Sequence, residues 1–431
     1  MQRVARGFAQ ASSACVRVDL GIQQSPRTTL NGYLEKLLFL VTGNFGKRGG
    51  NNLHTFLLPV IGHTDERSPK YWRTASQGMH AISGIYPPNI LPAEIEHTGK
   101  DRVRALFVDS ANPAVTAADS QAYARAFAKL DLLVVVDVAF TETARLAHYV
   151  LPAATQFEKA EATFFNFEFP HNVFQLRAPL FDPLPGTMIE PEMHSRLARE
   201  LGLVSDEVRE TLSSALADGA RPAFAQAFQA AVMADPVVGA LAPIVLYDVL
   251  GPTLPDGRQP AALLWAVAHN AAARMPDAIR RAGIAGDGFE LGEALFEALL
   301  TSQRGVVFSS DDFEDGWDYV ATPDGRIHPA IDELLALVPA LADGPVRYTS
   351  DEFPLVLSAG ERRSSTANTI YRDPTWRKRD PSGTLRISPT DAERLGLDDG
   401  CLAEVVTRAG RARATVEVTD MMRTGHVSLP N

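Results

Sequence analysis

Residues 105–152 decide the fold, and they read ALFVDSANPAVTAADSQAYARAFAKLDLLVVVDVAFTETARLAHYVLP. Two short apolar runs, residues 106–108 and 132–136, are each followed directly by an aspartate. Runs that are apolar on both faces are typical of strands in a parallel sheet covered by helices. Between the two runs, Asp119 can cap a helix whose apolar residues recur at helical spacing. The stretch therefore predicts a βαβ unit, and the crossover in such a unit is almost always right-handed.

Polar side chains follow both predicted strands. Asp109 ends the first strand and Asp137 ends the second, while Asn112, Thr141 and Thr143 lie in the segments that come next. In open parallel sheets, ligands bind beyond the carboxyl ends of the strands. We therefore predict that these five side chains line one crevice at that edge of the sheet.

A glycine-rich loop precedes this unit. Apolar residues at helical spacing predict a helix before Gly43, with Thr29 or Asn31 as its cap, and Asn44 follows the glycine. The backbone of a loop rich in glycine can approach a ligand closely, which makes Gly43 and Asn44 candidate binding residues. A helix C-cap followed by a turn explains the same pattern, and both interpretations stay open.

The chain changes character near its end. From residue 355 onward, short apolar segments indicate strands, and residues 402–407 and 413–418 predict a hairpin joined by a tight turn. A short helix is predicted to open at Pro389 and to end at Gly396. A small β-barrel is the natural solution for such a set of strands.

A basic cluster that includes Arg362 and Arg363 precedes most of these predicted strands. Because the chain as a whole is acidic, a local concentration of arginine suits an anionic ligand such as a phosphate. A patch of surface salt bridges explains the cluster equally well.

Composition bounds the classes of function. The chain has 431 residues, which suggests about three domains, and its net charge of −11 disfavours binding to nucleic acid or to anionic membranes. Cys15 and Cys401 lack the spacing of metal ligands, so the sequence predicts no metal-ligating residue. No apolar run has the length of a bilayer span, so no membrane-spanning segment is predicted.

Four motifs carry a family resemblance. In chain order they are GIQQ with LVTGNFGKRGG, LFVDSANPAVT with VVVDVAFTETARLAHYVLPAAT, EKAEATFFNFE, and LVLSAGERR with LRISPTDAERLGLDDG. Together they resemble the molybdopterin oxidoreductases, the superfamily of dimethyl sulfoxide reductase, nitrate reductase and formate dehydrogenase. The chain departs from the family pattern at Ser110 and Ala162, where the family usually has glycine.

The resemblance implies an α/β fold with three parts. Residues 1–100 would be the remnant of a preceding α/β cofactor domain, and residues 101–345 a Rossmann-like molybdopterin-binding domain with a helical extension. Residues 346–431 would form an incomplete dinucleotide-binding β-barrel of the double-psi type.

The resemblance also implies an enzyme. The expected cofactor is molybdenum bis(molybdopterin guanine dinucleotide), with Asp137 facing the guanine, Asn112, Thr141 and Thr143 facing phosphates and ribose, and the Arg362–Arg363 segment facing the pyrophosphate. The expected activity is oxidation or reduction of a small molecule, with formate as the first substrate and nitrate as the second. An electron-transfer partner subunit and a cytoplasmic location are expected as well, and no catalytic residue is assigned.

Family members begin with an iron–sulfur cysteine cluster and a domain that carries the molybdenum ligand, and nothing in this chain matches these parts. The sequence therefore suggests a fragment of a longer enzyme, with the iron–sulfur cluster in the missing N-terminal part. Two alternatives stay open. One is a catalytically inactive truncated or scaffold subunit that binds the cofactor or a nucleotide without turnover. The other is an unrelated nucleotide-binding α/β protein with a β-barrel module.

Overall fold

A computed structural model describes residues 1–59, 72–163, 166–217, 221–344, 347–359 and 383–430. The chain divides into two compact units. The first unit comprises Met1–Gly62 and Pro152–Asp343, and the second comprises His63–Leu151 and Gly344–Asn431.

Helices and strands are numbered in chain order over the described residues. The helices are α1 (Gln2–Gln10), α2 (Leu20–Gln23), α3 (Thr28–Val41), α4 (Leu91–Glu96), α5 (Pro113–Thr116), α6 (Ser120–Phe127), α7 (Glu190–Glu200), α8 (Asp206–Ala217), α9 (Arg221–Ala234), α10 (Pro236–Ala240), α11 (Ala242–Val249), α12 (Leu263–Arg274), α13 (Pro276–Arg281), α14 (Gly288–Leu300), α15 (Asp332–Leu335) and α16 (Pro389–Leu395). The strands are β1 (Ala105–Asp109), β2 (Leu132–Asp137), β3 (Tyr149–Pro152), β4 (Glu161–Ala162), β5 (His171–Phe174), β6 (Leu176–Arg177), β7 (Val306–Ser310), β8 (Val356–Ala359), β9 (Leu385–Ile387), β10 (Leu402–Val406), β11 (Arg411–Val418) and β12 (His426–Leu429).

The second unit contains the predicted βαβ arrangement. Strands β1 and β2 pair in parallel, with Ala105 opposite Leu132 and Asp109 opposite Val136, and the sheet order is β1-β2-β3. Asp119 caps the intervening helix α6, since its carboxylate accepts a hydrogen bond from the backbone N–H of Ala122 at 3.0 Å. The predicted parallel pairing and the predicted cap are therefore confirmed.

Helix α6 packs one face against this sheet. Tyr123 and Phe127 are buried with Val108 and Val135, and the two aromatic rings meet edge to face with centroids 5.6 Å apart. Burying one such side chain contributes about 1.5–3 kcal/mol. The strand ends are thus held by a packed layer beneath them.

The C-terminal strands of the second unit form a curled five-stranded half-barrel in the order β10-β11-β9-β12-β8. Strand β11 is antiparallel to β10 and parallel to β9, while β12 is parallel to β8 and antiparallel to β9. Helix α16 begins after Ser388, whose hydroxyl accepts a hydrogen bond from the backbone N–H of Asp391, and ends at Gly396 with φ 65°. The predicted hairpin and the predicted short helix are confirmed.

The first unit contains helices α7 to α14. Its core includes Phe224 of α9, Trp265 of α12, and Leu295 and Phe296 of α14. Two antiparallel strand pairs, β4 with β6 and β5 with β7, accompany the helices. The sequence analysis missed these pairs because the strands are short and because β5 and β7 lie far apart in the chain.

The interpretation of helix α3 was partly wrong. The helix begins at Thr28 with Arg27 at the N-cap position, so Thr29 and Asn31 lie inside it. The amide of Asn31 donates instead to the Ser25 hydroxyl at 2.8 Å. This partner cannot be recognised from helical spacing alone.

Candidate cofactor-binding site

Two carboxylates stand at the carboxyl edge of the parallel sheet. Asp109 ends β1 and Asp137 ends β2, and the parallel register places both ends at the same edge. Asp109 is exposed and Asp137 is half-buried, with its Oδ1 accepting a hydrogen bond from the backbone N–H of Ala139 at 3.0 Å. Carboxylates at neighbouring strand ends can accept hydrogen bonds from the N–H groups of a purine.

The backbone turns sharply directly after β1. Ser110 has φ 53°, its N–H donates to the carbonyl of Val136 at 2.9 Å, and its hydroxyl donates to Asp109 Oδ1 at 2.8 Å. A left-handed conformation costs a residue other than glycine roughly 1–2 kcal/mol. This conformation gives a physical reason for the glycine that the molybdopterin oxidoreductases usually have here.

Asn112 joins the loops that follow the two strands. Its Oδ1 accepts hydrogen bonds from the N–H of Thr143 at 3.1 Å and from the Thr143 hydroxyl at 2.7 Å. Its Nδ2 donates to Glu142 Oε2 at 2.8 Å. Because Asn112 is buried and Thr143 lies 31 residues further along the chain, this side chain fixes one loop against the other.

The two threonines brace the same loops. Thr143 is fully buried and its hydroxyl accepts a hydrogen bond from the N–H of Ala114 at 3.1 Å. Thr141 is also buried, and its hydroxyl accepts one from the N–H of Ala144 at 3.1 Å, at the start of a 3-10 turn. The structure thus brings Asn112, Thr141 and Thr143 together at the predicted edge, where their side chains hold the loops in place.

The sequence analysis missed one feature of this edge. Val138 and Phe140 project from the loop after β2, and their exposed fractions are 60% and 61%. The guanidinium carbon of Arg145 lies 5.7 Å from the centroid of the Phe140 ring. The neighbouring residues Val138 and Ala139 are apolar, so the sequence carried no signal that Phe140 is exposed.

Gly43 and Asn44 belong to the first unit. Gly43 has φ 64° just beyond α3, and Asn44 is fully buried. Asn44 Oδ1 accepts a hydrogen bond from the N–H of Ala14 at 3.0 Å. Asn51 holds Val16 from both sides, because its Oδ1 accepts from the Val16 N–H at 2.9 Å and its Nδ2 donates to the Val16 carbonyl at 3.0 Å. The loop therefore clamps residues 14–16 of its own chain.

Arg362 and Arg363 lie outside the described residues. Within the C-terminal half-barrel, a cavity of about 610 Å³ opens on the inner face of the strands. Leu355, Leu385 and Val405 contribute to its apolar wall, and Arg347 and Arg408 are among its lining residues.

Among the described residues, no helix is both long enough and apolar enough to cross a bilayer.

Two family models match the chain. Residues 21–182 match the model described as Molybdopterin oxidoreductase, and residues 355–431 match the one described as Molydopterin dinucleotide binding domain. The chain belongs to the molybdopterin oxidoreductase family. The matched ranges contain both sheets of the second unit, and the homologues in this family are enzymes.

Several relatives of this molybdopterin oxidoreductase chain are formate dehydrogenases. F420-dependent formate dehydrogenase 2 subunit alpha of Methanococcus maripaludis is 32% identical over 183 residues, which cover 38% of this chain and 26% of that protein. Nitrate reductase of Klebsiella oxytoca is 25% identical over 91% of this chain and 38% of that protein. The chain spans about a quarter of the length of the first curated relatives that it matches.

A solved structure shares the fold. Acetylene hydratase from Pelobacter acetylenicus superposes with a TM-score of 0.61 at 17% identity, over 100% of this chain and 55% of that one. At this identity the likeness shows the fold alone, since one fold hosts several chemistries.

Proposed function

We propose that this chain forms the dinucleotide-binding part of a formate dehydrogenase-like oxidoreductase that uses molybdopterin guanine dinucleotide. The observation that carries the proposal is the pair of carboxylates, Asp109 and Asp137, at the carboxyl edge of neighbouring parallel strands. The family match over residues 21–182 includes this edge. Loops braced by buried hydrogen bonds keep such groups in place for a ligand, which lowers the cost of ordering them on binding.

Guanine is the base that this edge suits. Its N1–H and its exocyclic amino group are adjacent donors, and a carboxylate accepts from both, whereas adenine presents an acceptor at N1. Asp137 is half-buried, so a hydrogen bond to its carboxylate would be partly shielded from water. A hydrogen bond to a charged group contributes about 1.5–3 kcal/mol.

We propose formate as the substrate of the whole enzyme and nitrate as the second choice. Formate dehydrogenase alpha subunits at 29–33% identity support formate, and the nitrate reductase match over 91% of the chain supports nitrate. The bound form would be molybdenum bis(molybdopterin guanine dinucleotide), which supplies the redox-active metal when present. An electron-transfer partner subunit and a cytoplasmic location belong to the same proposal.

The proposal extends to the domain plan. Residues 1–100 would belong to a preceding α/β cofactor domain, residues 101–345 to the molybdopterin-binding domain, and residues 346–431 to a dinucleotide-binding barrel. The mixed parallel and antiparallel pairing of β8, β9, β11 and β12 supports a barrel of the double-psi type.

The test compares two aspartates of one unit. Asp137→Ala removes the carboxylate at the carboxyl edge, and Asp101→Ala removes an exposed carboxylate that precedes β1 at the opposite end of the strand. The full chain is produced in a host that makes the cofactor, and retained pterin is measured by fluorescence after oxidative release. Guanosine 5′-monophosphate liberated by hydrolysis is measured in parallel.

We expect Asp137→Ala to weaken cofactor retention about tenfold or more, because it removes a charged hydrogen-bond partner. Asp101→Ala should retain the wild-type amount, and both variants should melt near the wild-type temperature. Unchanged pterin in Asp137→Ala would contradict the site. Pterin accompanied by a different nucleotide would contradict the guanine assignment.

A further inference from the structure

The loop between β2 and the following 3-10 turn exposes an aromatic ring from a braced backbone. The residues on both sides of Phe140 are held, since the N–H of Ala139 donates to Asp137 Oδ1 at 3.0 Å and the N–H of Thr141 donates to the carbonyl of Ala139 at 2.9 Å. Thr141 itself is buried. Phe140 nevertheless has 61% of its surface exposed.

Phe140 differs from other exposed aromatic residues because Val138, Asp137 and Arg145 lie beside it at the candidate site. Burial of an aromatic side chain is favourable, and exposed apolar residues that cluster within a polar surface mark interaction sites. Val138, two residues earlier, is exposed to the same degree. Both side chains flank Asp137 and Thr141, so they belong to the edge that carries the candidate site.

Arg145 gives the ring a charged neighbour. The guanidinium carbon of Arg145 lies 5.7 Å from the centroid of the Phe140 ring. The backbone N–H of Arg145 donates to the carbonyl of Thr141 at 3.0 Å. A cation over an aromatic face holds the ring by electrostatic attraction. A ring beside a guanidinium and a carboxylate offers a stacking surface for a planar base, a cation for phosphate and an acceptor for base N–H groups.

We propose that Phe140 stacks against the purine base of the bound dinucleotide and that Arg145 holds the ring in position and attracts the adjacent phosphate. This inference rests on the proposed function and adds a base-contacting residue to it. Asp137 selects the base through its hydrogen-bonding edge, while Phe140 contacts its flat face. Burial of Phe140 by another polypeptide is the competing explanation for the exposed ring.

The test measures nucleotide binding by the full chain, produced without cofactor. The probe is GDP carrying a fluorescent N-methylanthraniloyl group on its ribose, with unlabelled GDP and inorganic pyrophosphate as competitors. The variants are Phe140→Ala, Phe140→Trp and Asp137→Ala. Phe181→Ala is the matched control, because Phe181 is 66% exposed and belongs to the first unit.

Stacking of one base on an aromatic side chain contributes about 1–3 kcal/mol, so Phe140→Ala should weaken GDP binding at least about fivefold. Pyrophosphate competes without a base, and its affinity should stay within about twofold of wild type because P–O contacts do not involve the ring. Phe140→Trp should bind GDP as wild type does, and the introduced indole should be quenched by GDP. Phe181→Ala should behave as wild type.

The outcomes separate the two proposals. If Asp137→Ala loses GDP binding while Phe140→Ala stays within about twofold of wild type, the stacking role is wrong and the proposed function stands. If the wild-type chain binds no GDP, both are wrong. If Phe140→Ala weakens GDP and pyrophosphate equally, the ring acts on the loop rather than on the base, which also overturns the inference. Should Phe140→Ala fold poorly, the indole quenching in Phe140→Trp decides.

Discussion

The helical core of the first unit and the sheet edge of the second unit both combine carboxylates, aromatic rings and arginine, yet they use them differently. In the core, Glu293 of α14 is hydrogen-bonded to Trp265 Nε1 at 2.7 Å, to His269 Nε2 at 2.9 Å and to Arg221 at 2.8 Å. At the edge, Val138 and Phe140 are exposed on the loop after β2. A carboxylate surrounded by side-chain donors holds helices together, whereas exposed groups on a braced loop are available to a ligand.

The electrostatics of Glu293 agree with a structural role. Burial raises its pKa, but hydrogen bonds from His269, Arg221 and Trp265 and the charge of Arg221 outweigh burial and lower the pKa from 4.5 to about 2. The ionised form is therefore the one that the fold stabilises. Three helices, α9, α12 and α14, meet at this single side chain.

The largest effect on stability is expected from Glu293→Gln. The change places an amide opposite Arg221 and removes the charge that pairs with it. Breaking a buried ion pair costs about 3–5 kcal/mol, and partial exposure of Glu293 reduces this to about 2–3 kcal/mol. Urea unfolding measures the loss.

Glu297→Gln is the control for that experiment, because Glu297 also bonds Arg221 but has half of its side chain exposed. It should cost less than about 1 kcal/mol. Equal losses in the two variants would contradict the contrast between a core carboxylate and a surface one.

Acid should act through the same carboxylate. Because the pKa of Glu293 is about 2 in the folded chain and 4.5 in the reference state, its contribution to stability is fully present above about pH 4.5 and is lost as the pH falls toward 2. Unfolding free energies at about pH 6 and about pH 3 should differ more for wild type than for Glu293→Gln. Identical pH dependence in both proteins would remove Glu293 as the cause.

A smaller loss is expected from Asn112→Ala at the sheet edge. The change leaves the buried N–H of Thr143 without its acceptor, and an unsatisfied buried group costs about 1–3 kcal/mol. Asn89→Ala is the control, since Asn89 is exposed and accepts one long hydrogen bond of 3.3 Å from the N–H of Ala118. Thermal melts compare the two. If Asn112→Ala melts as Asn89→Ala does, the loops are not braced in the manner described.

The smallest effect, and the only gain, is expected from Ser110→Gly. Glycine adopts the φ of 53° without steric cost, and the lost hydroxyl bond to Asp109 is exposed and weak. The net change should be a gain of up to about 1 kcal/mol in unfolding free energy. Destabilisation by Ser110→Gly would show that the serine hydroxyl matters more to this turn than its backbone conformation.

The sequence predicted those parts of the structure that local pattern controls. The apolar runs of β1 and β2, the cap at Asp119 and the stop at Gly396 each follow from a few consecutive residues. The structure confirms the parallel βαβ unit that they predicted, and with it the edge of the sheet at which Asp109 and Asp137 lie.

Partners distant in sequence could not be predicted in this way. Asn112 meets Thr143 only because the sheet brings two loops together, and Asn44 meets Ala14 only in the folded first unit. The same limit hid the pairing of β5 with β7 and the three donors around Glu293. Phe140 was overlooked for a different reason, because exposure of an aromatic residue cannot be inferred from its neighbours in sequence.

Asn44 and Asn51 bind the main chain of residues 14–16 through hydrogen bonds that do not depend on the side chains of those residues. The two asparagines bond only to main-chain N–H and C=O groups, as a neighbouring β-strand would. A side-chain replacement at Ala14 or Val16 therefore leaves the bonded main-chain groups in place. Proline at either position is the exception, because it lacks the backbone N–H that donates to the asparagine Oδ1. The exposed Cys15 lies between Ala14 and Val16, so a reporter group can be attached there without breaking either set of hydrogen bonds.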